Sequence, residues 1–74
     1  MAWVITVLTA DGKFYHNADT RRFHADIKEA TFYPTDKGAI QTINRNMMAE
    51  NHLSVREEYI EDDKLAKIML KGDK

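Results

Sequence analysis

The sequence predicts an α+β domain: a mostly antiparallel sheet of four to five strands with one main helix packed on one face. Three observations carry that expectation. The run WVITVLT, Trp3 to Thr9, is dense in β-branched and aromatic residues. An Asp11-Gly12 pair then turns the chain back into FYHNA, as a hairpin requires. Further on, DKGAIQTINRNMMAEN repeats apolar residues at helical spacing.

The predicted element order is β-β-(short α)-β-α-β-β. The first strand is apolar on both faces, with Trp3, Ile5 and Val7 on one and Val4 and Leu8 on the other. Such a strand belongs at the centre of its sheet. The second strand places Phe14 and His16 on one side and Tyr15 on the other. DTRRFHA has no clear period and reads as an irregular connection or a short edge strand. DIKEA reads as one helical turn capped by Asp26, with Ile27 and Ala30 inward.

TFY is expected as a third, short strand that Pro34 ends, because proline has no N–H for a ladder. Thr35 then caps the main helix, and Asp36 in its first turn suits the helix dipole. Ala39, Ile40, Ile43 and Met47 form its apolar stripe; Lys37, Gln41, Thr42 and Arg45 face away. LSVREEYI and LAKIML are expected as the last two strands, joined at EDDK. Leu53, Val55 and Tyr59 alternate in the first of these, and Ala66, Ile68 and Leu70 in the second.

The 74 residues form a single domain, 1–74, with KGDK at 71–74 as a loose tail. A chain this short buries only about 60% of the surface its unfolded form exposes, so the core is thin. There is no cysteine, hence no disulfide and no thiolate chemistry. The apolar start has no basic leader and breaks at Asp11-Gly12, so neither a signal peptide nor a membrane span is expected. A cytoplasmic location follows as the expectation.

Eleven basic and twelve acidic residues nearly cancel, leaving no net field toward nucleic acid or an anionic membrane. The exception to the even mixing of charge is EEYIEDD. Its five carboxylates, Glu57, Glu58, Glu61, Asp62 and Asp63, are the candidate partner-binding rim. Such a rim suits a basic groove; alternatively the charges protect a turn and a strand edge from aggregation. Unbroken alternation puts Glu57 beside Val55 and Tyr59, where burial is costly. Either a bulge turns it outward or that face is open.

Lys13, Tyr15, Arg21 and Arg22 form a second candidate set: an aromatic to stack bases and cations to hold phosphates. His16, His24 and His52 lack the tight spacing of a metal site, and no metal or cofactor is expected. Ser54, the only serine, has no glycine elbow around it. The glycines Gly12, Gly38 and Gly72 are too scattered for a phosphate loop. A catalytic role is therefore not expected.

The chain also resembles a family. An aliphatic first strand, a DGK-aromatic hairpin and the stretch DIKEATFYPTDKGAI, with Glu29-Ala30, Phe32, Thr35 and Ala39, are similar to small proteins of bacteriophages and prophages of Gram-positive bacteria. The resemblance covers about residues 3 to 60 and supplies no catalytic residue. It implies a phage accessory protein in the bacterial cytoplasm that binds and modulates a host protein, as anti-CRISPR inhibitors do.

The expected function is thus non-catalytic protein binding. One main helix would leave a sheet face uncovered, for a host protein or for a second copy in a homodimer. The alternative is a small single-stranded nucleic-acid binder; no membrane partner is expected.

Overall fold

The computed structural model describes residues 2–46, 48–51 and 54–72. Four strands form one antiparallel sheet in the order β3-β2-β1-β4. They are β1 (Ala2–Thr9), β2 (Gly12–Asn17), β3 (Arg22–His24) and β4 (Arg56–Ile60). The helices are α1 (Asp36–Arg45), α2 (Met48–Asn51) and α3 (Asp62–Gly72), and a 3-10 turn spans Ile27–Glu29. The α+β class and the antiparallel sheet are those the sequence predicts.

The hairpin between β1 and β2 closes on Thr9 opposite Gly12. Gly12 takes φ +124°, a conformation that side chains disfavour. The Thr9 hydroxyl accepts from the Asp11 N–H and donates to the Gly12 carbonyl, each at 3.1 Å, which pins the turn. Both predicted caps are present. The Asp26 carboxylate accepts from the Lys28 N–H at 2.9 Å, and the Thr35 hydroxyl accepts from the Gly38 N–H at 3.3 Å.

Register explains the two-faced first strand. Ala2 and Val4 pack on one face of the sheet with Ala30, Ile60 and Ile68. Tyr15, Ile27, Phe32 and Leu65 complete that layer. On the other face Ile5 packs with Ala39, Ile43 and Met48, alongside Trp3, Phe23, Tyr33 and Val55. So α1 and α2 cover one face, while α3 and the 3-10 segment cover part of the other. Val4, Ile5 and Ile60 lose essentially all exposure, each worth roughly 1.5–3 kcal/mol of transfer free energy.

Several expectations are corrected. LAKIML is not a fifth strand: it lies in α3, and EDDK is not a turn but the start of that helix. The Leu65 N–H donates to the Glu61 carbonyl at 2.8 Å, a helical i to i−4 bond. Leu65 and Ile68, three apart, face the core, while Ala66 is exposed. Asp62 and Asp63 in the first turn meet the positive end of the helix dipole. The expectation of one main helix on one face therefore gives way to helices on both.

The third strand is Arg22–His24, the short edge strand that is one of the two readings of DTRRFHA. TFY contributes only an isolated bridge. Tyr33 and Trp3 exchange two backbone bonds of 2.8 Å where β2 no longer borders β1. The long helix ends at Arg45, with Asn46 as its cap, before α2. Of the expected inward stripe, Ala39 and Ile43 are buried and Ile40 is half-buried, and Met48 adds to the core. Thr42, expected to face away, is half-buried. Met47, His52, Leu53 and the tail residues Asp73 and Lys74 lie outside the described residues.

Candidate functional site

α3 and the 3-10 segment cover the sheet only over the Ala2, Val4 and Ile60 end of their face. Toward the other end, register places Lys13 opposite Leu8, and both Tyr15 and Arg56 opposite Thr6. His24 lies opposite Tyr15, and Arg22 opposite Asn17. Because side chains alternate across a strand, all of these share one face. Thr6 is buried between its neighbours, but Leu8 is 64% exposed. Leu8 is not isolated. With Thr6, Lys13, Ser54, Val55 and Arg56 it lines an open groove of about 310 Å³.

Two polar contacts shape that groove. Lys13 Nζ donates to Glu58 Oε1 at 2.7 Å. This hydrogen bond raises the Lys13 ammonium above its ordinary range, against a smaller opposing effect of burial. The Ser54 hydroxyl accepts from the Leu8 N–H at 3.1 Å and donates to the Leu8 carbonyl at 2.6 Å. Ser54 thus completes the edge of β1 beyond the end of β4, a structural task for a residue weighed above as a nucleophile.

The acidic candidates do not form one rim. Glu57 stands opposite Ile5 and Glu58 opposite Val4, on opposite faces of the sheet. Alternation through Glu57 and Tyr59 is unbroken, so no bulge turns Glu57 outward; it is half-buried on an edge strand beside α1. Only Glu61, Asp62 and Asp63 stay together, exposed at the corner where β4 passes into α3.

The basic set divides too. Lys13, Tyr15 and Arg22 are on one face of the sheet, but only Lys13 is at its open end; Tyr15 packs into the covered layer, and Arg22 pairs with Asn17, whose side chain donates to the Glu29 carbonyl. Arg21 closes the β2–β3 turn with φ +59°, its N–H donating to the Asn17 carbonyl at 2.8 Å. It lines a second cavity, of about 400 Å³, on the opposite side of the sheet with His16, Phe23, Thr42, Arg45 and Met48 among others. The sequence reading missed Arg56, Leu8 and Arg45. Alternation in REEYI does pair Arg56 with Glu58, but one strand alone does not say what lies across from it.

His16 is 6% exposed, and its ring meets Phe23 edge-on at 5.1 Å. Burial pushes its imidazole below the ordinary range, and the nearby His24 adds to this. The His16 Nδ1 atom is buried without a partner among the described residues, as is the Tyr33 hydroxyl. His24 Nε2 lies 2.9 Å from the Thr20 hydroxyl. Among the described residues no group of three metal-ligating side chains converges, and no helix is long and apolar enough to cross a membrane. Comparison with protein-family models, with curated proteins and with solved structures finds no significant match to the chain.

Proposed function

We propose that this chain is a non-catalytic binding module that docks on a partner protein through the open half of its sheet. The observation that supports this best is the Leu8 groove. An exposed leucine sits between Lys13, which Glu58 holds, and Arg56, an apolar centre with a charged margin. Protein interfaces are built this way: the centre excludes water while the margin sets orientation. The near-zero net charge suits a protein partner better than a polyanion. Glu61, Asp62 and Asp63 offer a second, acidic contact for a basic surface. With the resemblance to phage proteins, the sharpest version is an accessory protein in the bacterial cytoplasm that binds and inhibits a host protein, of the immune system among others.

The test is retention of a host protein by the tagged chain after nuclease treatment, compared with Leu8→Glu and with Glu61→Lys/Asp62→Lys/Asp63→Lys. Loss of one stoichiometric protein in either variant, with folding intact by circular dichroism, supports docking. Equal retention by both variants sinks it.

A second reading has one specific observation behind it. Lys13, Tyr15, Arg22 and Arg56 are on one face of the sheet, Lys13 and Arg56 at its open end, an arrangement that suits a single strand of nucleic acid. Under this reading capture disappears with nuclease, falls steeply with salt, and is abolished by Tyr15→Ala/Arg22→Ala.

A further inference from the structure

The cavity of about 400 Å³ lies on the side of the sheet away from the Leu8 groove. It is built from four elements: β2 with the turn after it, β3, the end of α1 and the start of α2. His16, Phe23 and Met48 give it apolar and aromatic walls; Thr42, Asn46, Arg21 and Arg45 give it polar ones. The volume falls within the range of small-ligand sites, and the lining is more polar than theirs usually is.

Three further observations point to an anionic occupant. Arg21 and Arg45, from different elements, both line this one cavity, and neither has an ion pair among the described residues. Arg21 holds a left-handed backbone, which glycine or asparagine would adopt at less cost. A costly residue kept at such a position is a pointer to its side chain. Finally, His16 is more than nine-tenths buried, lines the cavity, and has a ring nitrogen without a partner. That nitrogen has essentially no exposed surface, so an occupant meets the edge of the ring that faces the cavity and reaches the nitrogen only if the ring turns.

We propose that this cavity binds a small organic anion, with a flat ring set among His16, Phe23 and Met48 and its carboxylate or phosphate held by Arg21 and Arg45. Arginine forks suit both acid groups, because each presents two oxygens at the spacing of two guanidinium N–H groups. Lowered basicity keeps the His16 ring neutral near pH 7, so that it offers one donor and one acceptor.

The experiment is an NMR titration of the full chain with benzoate and, separately, with adenosine monophosphate, following the His16, Phe23 and Arg45 signals. Saturable shifts at these residues with either probe are expected; the probe that binds tells whether carboxylate or phosphate is preferred. Arg21→Gly keeps the turn conformation without the guanidinium, and Arg45→Gln keeps the helix. Each should weaken binding about tenfold, the scale of losing one charge-assisted contact. No saturable shift up to millimolar probe overturns the proposal. So does binding that both variants retain at full strength.

Discussion

The Ser54 hydroxyl serves both polar groups of one backbone residue, the N–H and the C=O of Leu8. Ser54→Ala should therefore lower stability by about 1 kcal/mol, read as a shift of the urea midpoint without a change of slope. A loss below measurement would mean that solvent replaces the hydroxyl at this edge. His16 gives a prediction in pH. Its folded-state pKa lies below its unfolded value, so below about pH 6.5 the unfolded chain takes up a proton that the folded chain refuses. Stability should fall as pH drops through that point and level off once the folded ring also protonates. His16→Phe should flatten the fall, measured by urea unfolding at a series of pH values. An unchanged slope would move the acid sensitivity to other groups. Neither role is legible in the sequence. Ser54 is an ordinary polar residue before a strand, and His16 is one histidine of three until the β2–β3 register sets it against Phe23.

At the scale of elements, the instructive case is the segment LAKIML. Ala66, Ile68 and Leu70 alternate as a strand would, and Leu65 and Ile68 stand three apart as a helix would. Over six residues these two periods overlap. The carboxylates before it tip the balance, since Asp62 and Asp63 suit a helix start. The two conformations make opposite predictions for residues 66 and 68. In a strand they share a face; in α3 they lie about 200° apart around the axis. Ile68→Ala should cost about 2–3 kcal/mol, whereas Ala66→Lys should stay within about 0.5 kcal/mol. Thermal melts of the two variants check this, and equal damage from both would contradict the helix. The predicted helix at the middle of the chain fared better, because Thr35, Asp36 and the apolar stripe all agree on where it starts and which way it faces.

For the whole molecule, the consequence of α3 is that both faces of β1 are covered by the same chain, one of them only in part, since Leu8 stays exposed. The expectation of a homodimer rested on an uncovered face, and α3 narrows that face to its open end around Leu8. The chain should sediment as a monomer at micromolar concentration. A dimer that Leu8→Glu dissociates would instead assign the open groove to a second copy. The radius of gyration, 11.9 Å, is close to the roughly 11 Å expected of one compact domain of this length.

By itself the sequence determined the α+β class, the central first strand, the Gly12 hairpin, the caps at Asp26 and Thr35, and the inward face of α1. Each depends on residues close together in the chain, whose propensities and spacing act locally. Only the tertiary structure decided that the last apolar segment is a helix, that DTRRFHA is an edge strand rather than an irregular connection, that Glu57 and Glu58 part to opposite faces, and that Arg21 and Arg45 line one cavity. Those outcomes depend on register and on packing between segments far apart in sequence. A short apolar run takes the conformation that buries it best, and what it is buried against is written elsewhere in the chain.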